Sequence, residues 1–154
     1  MKAEYNEWIL SQAEAIENLQ NTKLNFLTYS DLIYTNSLFW KIEEVSNKEL
    51  KRTCIPNWYY YQNRELELCK EDFFRFFFSD MRGEEFSFLI TDEGHVKGWV
   101  FQFFVKDFIR FSEWYEDYFG KVFFDFSDYL VVFPKLNMIR LLDEEGGINQ
   151  LVVF

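Results

Sequence analysis

Residues 84–104 read EEFSFLITDEGHVKGWVFQFF, and this stretch decides the fold. Phe86, Phe88 and Ile90 recur at a period of two, the pattern of a strand with one buried face. Asp92-Glu93-Gly94 supplies a turn, and Val96 to Phe104 returns as a second run of branched and aromatic residues. The pattern predicts a hairpin with strands at 84–91 and 96–104.

Working outward, the preceding residues 70–82 open with Lys70, Glu71 and Asp72. Acids suit the positive end of a helix, and Gly83 supplies a stop after FFRFFFSDMR. Beyond the hairpin, residues 105–119 predict a helix ended by Gly120. Phe108, Phe111, Ser112, Tyr115 and Phe119 fall on its inner face, with Lys106, Arg110, Glu113 and Asp117 opposite. The remaining segments VFFDF, YLVVF, LNMIRLL and INQLVVF read as strands, broken at Ser127-Asp128, Pro134-Lys135 and Asp143 to Gly147.

Toward the amino terminus, Tyr5, Trp8, Ile9, Ala13, Ile16 and Leu19 repeat at helical spacing and predict an amphipathic helix over residues 4–20. Residues 31–46 fit two patterns. Tyr34, Leu38, Ile42 and Val45 suit a helix capped by Ser30 or Asp31, whereas Leu38, Trp40 and Ile42 alternate like a strand; helix is the preferred reading. Residues 47–63, with the Pro56-Asn57 turn signal, read as irregular. Together these segments predict an α+β fold in a single domain over residues 1–154. Its antiparallel or mixed sheet has about five to six strands, and two to four helices cover one face.

Composition bounds the function. The chain has 154 residues with 20 Phe, 9 Tyr and 5 Trp, enough apolar area for a substantial core. Its formal charge of -10 repels nucleic acid and anionic lipid and attracts cationic partners. No apolar stretch approaches the ~20 residues of a membrane span. Cys54 and Cys69 form no CxxC pair, and MKAEYNEWIL lacks the features of a secretion signal. Both thiols are expected reduced and buried, and the protein cytoplasmic.

Groups that do chemistry are scarce. His95 adjoins the turn without a nucleophile nearby, the natural place for a solvated histidine. The acids single out no pair for hydrolysis, and Asp143-Glu144-Glu145 lack calcium-loop spacing. One His and two Cys fall short of a four-ligand zinc site, so no metal or cofactor is expected.

Residues 112–129, SEWYEDYFGKVFFDFSDY, instead mix acid with aromatic side chains. Glu113, Glu116, Asp117, Asp125 and Asp128 lie among Trp114, Tyr115 and Tyr118, with Lys121 alone in opposition. Carboxylates steer a basic partner and aromatic rings anchor it. The competing reading is an ordinary solvated helix face on which Arg110 pairs with Glu113. Trp58 to Tyr61 form a second cluster, with Tyr59 and Tyr60 as candidate contacts; these rings either face a partner or pack beneath the first helix. The composition therefore favours a non-catalytic acidic protein that neutralises a basic toxin or nuclease, as immunity proteins do. A mimic of nucleic acid directed at a defence protein, and a small-ligand carrier or enzyme with an apolar pocket, are the alternatives.

Overall fold

The predicted hairpin forms the middle of a larger sheet. In the computed structural model, which describes residues 6–33, 35–125 and 127–154, β3 (Phe86–Thr91) pairs antiparallel with β4 (Trp99–Phe104). The sheet also contains β1 (Ile9–Ser11), β2 (Lys48–Cys54), β5 (Tyr129–Phe133), β6 (Met138–Leu142) and β7 (Gly147–Val153). All seven strands are antiparallel to their neighbours in the order β1-β4-β3-β5-β6-β7-β2. The α+β fold is as the sequence predicts, with more elements: seven strands, and seven α-helices among the described residues.

Helices lie on both faces of the sheet, not one. The cause is visible in the central strands, where every residue of β5 and all but the first of β3 are buried. Continuous apolar runs of this kind mark strands covered on both sides. One face is aromatic: Phe101, Phe103, Val131 and Phe133 of the sheet meet α5 (Lys70–Phe77) and α7 (Phe108–Phe119). The other is aliphatic, built from Ile90, Leu130, Val132, Ile139 and Leu141 against α1 (Gln12–Leu19), α2 (Tyr29–Ile33) and α3 (Thr35–Glu44).

Phe73 on α5 centres the aromatic layer. Its ring stacks on Phe77 at 4.2 Å and Phe108 at 5.4 Å, and meets Phe123, Phe124 and Tyr129 edge-on at 5.0, 5.0 and 5.1 Å. Edge and offset contacts of this kind suit the ring quadrupole. One cation enters this layer. Arg140 donates to both oxygens of Asp80 at 2.9 and 2.7 Å, to Phe77 O at 2.7 Å and to Gln150 at 2.9 Å. The Arg140 hydrogen bond holds the Asp80 carboxyl below its ordinary range and ties the end of α5 to β6.

Several local readings change. The first helix starts at Gln12, because Ser11 and Glu14 form a reciprocal capping box; Ile9–Ser11 instead pair with Trp99–Phe101. Residues 48–54 are a strand, and Trp58–Gln62 form the short helix α4. Asp92–Val96 make a helical turn, α6, capped by Thr91, which accepts from the Gly94 amide at 3.1 Å. The helix predicted to Gly83 ends at Phe77. VFFDF is not a strand: Phe123 and Phe124 plug the aromatic layer from a loop. Within residues 31–46 the described residues up to Ile33 and from Thr35 to Glu44 are helical, as preferred over strand, and Gly120 closes α7 with a positive φ of 66°. Tyr5, Tyr34 and Phe126 lie outside the described residues.

Phe73→Ala should cost about 3–5 kcal/mol of unfolding free energy, because it removes a fully buried ring with little room for collapse. Phe104→Ala, at a ring 42% exposed, should cost under about 1 kcal/mol in the same chemical denaturation.

Candidate functional site

α7 sorts the predicted patch into used and unused groups. With Phe108, Phe111 and Tyr115 buried against the sheet, Glu113, Asp117 and Tyr118 fall on the exposed side. Glu116 is occupied within the fold: it accepts from Lys70 at 3.3 Å and from the Phe123 amide at 2.8 Å. Asp125 is occupied too, by Lys121, the Ser127 amide and the Tyr129 hydroxyl. Trp114 is half-buried, stacked on Tyr118 at 5.4 Å and packed against Phe101. Lys97 rests 5.7 Å from the rings of both Trp99 and Tyr118. Arg110 pairs with Glu7 at 3.0 Å and with Asp107 at 3.8 Å rather than with Glu113.

Sequence reasoning missed Glu93, the centre of a polar cluster under this helix. Its carboxylate accepts from the Tyr115 hydroxyl at 2.6 Å and from Lys121 at 2.8 Å. Burial, then the Glu93 hydrogen bond, pushes the Tyr115 hydroxyl far above its ordinary range and keeps it a neutral donor. Burial opposes the charge on Lys121, but bonds to Asp125 and Glu93 outweigh it and raise its pKa. No periodicity distinguishes Glu93 from Asp92; only the tertiary approach of α7 does.

The strand registers bring four connecting segments to one end of the sheet: α4 after β2, α6 after β3, the loop before β5, and the turn between β6 and β7. This rim carries Asp92, Glu93, Asp125, Asp128, Asp143, Glu144 and Glu145 against Arg52, Lys97 and Lys121. Burial raises the Asp92 carboxyl, and its neighbour Asp128 adds to the shift. Such crowding of like charge is relieved by a cation from outside.

A cleft of about 320 Å³ opens in the rim, lined by Trp58, Gln62, Ser127, Asp128, Leu142, Asp143 and Glu144. Gly146 lets α4 approach, since a side chain there would overlap the Trp58 ring and its φ is +78°. Trp58 and Gln62 both donate to Glu144 O, at 3.1 and 3.3 Å. That seating leaves Tyr59 and Tyr60 outward, 69% and 47% exposed, so the structure settles their position as surface rings. Trp58 and Tyr61 turn inward. The cleft thus joins the two predicted clusters through Asp128, while Glu113 and Asp117 stand apart on α7.

Asp143 builds the cleft wall. It accepts from Arg52 at 2.9 and 3.2 Å, Asn149 at 2.9 Å, and the Glu145 and Gly147 amides at 2.9 and 2.8 Å. Burial works against its charge, but these donors prevail and bring the carboxyl down to about 2.

His95 lies on α6 with Nδ1 buried and no hydrogen-bond partner. Among the described residues no group of three or more His, Cys, Asp or Glu is placed to hold a metal ion, and no helix is long and apolar enough to cross a membrane. Cys54 is exposed and Cys69 half-buried, neither in the core as expected; Cys54 ends an edge strand, and Cys69 caps α5 beside Asp72. In comparisons with known proteins, no family model matches the chain, no curated protein matches it and no solved structure matches it.

Replacing Asp143 with Asn should cost about 1–2 kcal/mol near neutral pH, since it weakens a half-buried hub that accepts five hydrogen bonds. An unfolded aspartate titrates near ~3.9, so the lowered value contributes stability above that pH and loses it as pH falls toward about 2. The gap between wild type and variant, read by chemical denaturation, should therefore close over that acid window.

Proposed function

We propose that this chain is an acidic binding protein that occupies the cationic surface of a basic protein partner, a toxin or nuclease, and blocks it without turnover. The observation that carries the reading is the acidic rim around a cleft with Trp58 in its wall at one end of the sheet. Asp128 and Glu144 are exposed there beside Tyr59 and Tyr60, and neither carboxylate is bound to a cation among the described residues.

Charge and contact divide the work. A net charge of -10 raises the encounter rate with a basic surface, and the rim orients it. An arginine or lysine entering the cleft meets Asp128 and Glu144, and its arrival also relieves the crowded Asp92. The exposed tyrosines then supply contact area at low entropic cost, slowing release. Glu113 and Asp117 extend the field along α7. Their separation from the cleft favours one focal site over the evenly spaced line of charge that imitation of a nucleic-acid backbone requires.

Reversal of Asp128 and Glu144 to lysine should slow association with the co-purifying basic partner at least tenfold at low salt and flatten the salt dependence. Tyr59→Ala should instead speed dissociation, with a cost of about 2 kcal/mol if the ring lies centrally in the contact. His95→Ala should leave both rates unchanged. Association and dissociation rates at two salt concentrations, with folding checked for each variant, decide the matter. Rates indifferent to charge reversal would reject the rim as the binding surface.

A further inference from the structure

Among the described residues the sheet ends on β2, whose outer edge carries no strand. Toward β7, the Ile55 amide donates to Gly146 O at 2.7 Å and the Phe154 amide to Asn47 O at 2.8 Å. Glu49, Lys51 and Thr53 fall between them in the same alternation, opposite Val152, Gln150 and Ile148. In an antiparallel ladder the intervening residues point their backbone groups the other way. Lys48, Leu50, Arg52 and Cys54 therefore present N–H and C=O groups to the open edge, and the strand is exposed from Glu49 to Cys54.

Outward-reaching lysines ordinarily guard such an edge. Here the two cations flanking Leu50 turn back into their own chain. Lys48 donates to Ile42 O at 2.8 Å and Glu43 O at 2.7 Å, closing α3. Arg52 is held by Asp143 at 2.9 Å. With Lys48 held by backbone carbonyls and Arg52 by Asp143, the strand's other charges are Glu49 and Lys51, of opposite sign and on the same face of the sheet; among the described residues neither is in an ion pair.

We propose that β2 is a dimer edge, to which a second copy of this chain adds its own β2 antiparallel about a two-fold axis at Leu50. An axis perpendicular to the sheet keeps each residue on its own face, so only residues of equal parity can stand opposite one another. Leu50 against the partner's Leu50 satisfies this, and it joins the outward backbone groups of Lys48, Leu50 and Arg52 to those of the partner's Arg52, Leu50 and Lys48. On the aromatic side, Glu49 then faces the partner's Lys51, and symmetry repeats the pair. On the aliphatic side, Leu50, 50% exposed, meets its copy beside a cleft of about 320 Å³ lined partly by Phe39, Ile42 and Leu151. Moving the axis to Lys51 would set two ammonium groups face to face, so charge selects the Leu50 register.

Sedimentation equilibrium on the full chain tests this. The wild type should be dimeric at concentrations of about 100 μM, a weak but specific association. Glu49→Lys and Lys51→Glu should each raise the dimer dissociation constant about tenfold, because each turns two attractive pairs into repulsive ones. The double variant should recover wild-type affinity, which a merely structural role of either residue would not produce. Amide exchange at Leu50 and Arg52 should slow with rising concentration. A monomer throughout this range, a dimer indifferent to both single changes, or protection of β2 only on adding an extended acidic peptide would overturn the proposal.

Discussion

Everything in this structure depends on the sheet being apolar on both faces. A sheet whose central strands are buried throughout must be sealed twice, and the chain does so with different chemistry on each side. Flat rings, keyed around Phe73, fill the space beneath α5 and α7, while leucine and isoleucine fill that beneath α1, α2 and α3. Large rigid aromatic groups close a layer with few residues. The acidic groups gather in the segments joining strands to helices, beside the rings those segments send into the core, Phe123 and Phe124 from the loop before β5 and Trp58 and Tyr61 from α4.

The same constraint sorts the charges. Groups near the layer are neutralised internally: Arg140 by Asp80, Glu93 and Asp125 by Lys121, Glu116 by Lys70. Once these pairs are removed, the rim keeps Asp92, Asp128, Asp143, Glu144 and Glu145 against Arg52 and Lys97, an excess of negative charge. A protein gains little stability from exposed carboxylates crowded together. Asp143 is held within the fold, whereas Asp128 and Glu144 stand exposed beside a cleft flanked by bare tyrosines, which is where the proposed binding surface places its carboxylates.

The hairpin, α7 with its Gly120 stop and the terminal strands could be read from the chain because each carries a strong period and a punctuating residue. Two-sided burial was signalled by YLVVF, yet one cannot tell from such a run which helices cover which face. β2 escaped because KELKRTC is exposed along almost its whole length and so has no apolar pattern to find. α1 was placed too early because Trp8 and Ile9 continue its spacing, although the Ser11-Glu14 box marks the start. Of the predicted contact residues, composition identified the right neighbourhood but could not separate Glu116 and Asp125, which are internally bound, from Asp117 and Asp128, which are exposed. Glu93 and Glu144 became visible only when distant segments met.

The most direct measurement is residue-level hydrogen exchange on the complex with the proposed basic partner, captured by co-purification. The account predicts new protection confined to α4, the residues around Asp128 and the turn at Asp143 to Gly146, with Tyr59 and Tyr60 inside the footprint. Protection that skips this rim and falls on α1 or the aliphatic helices would contradict it.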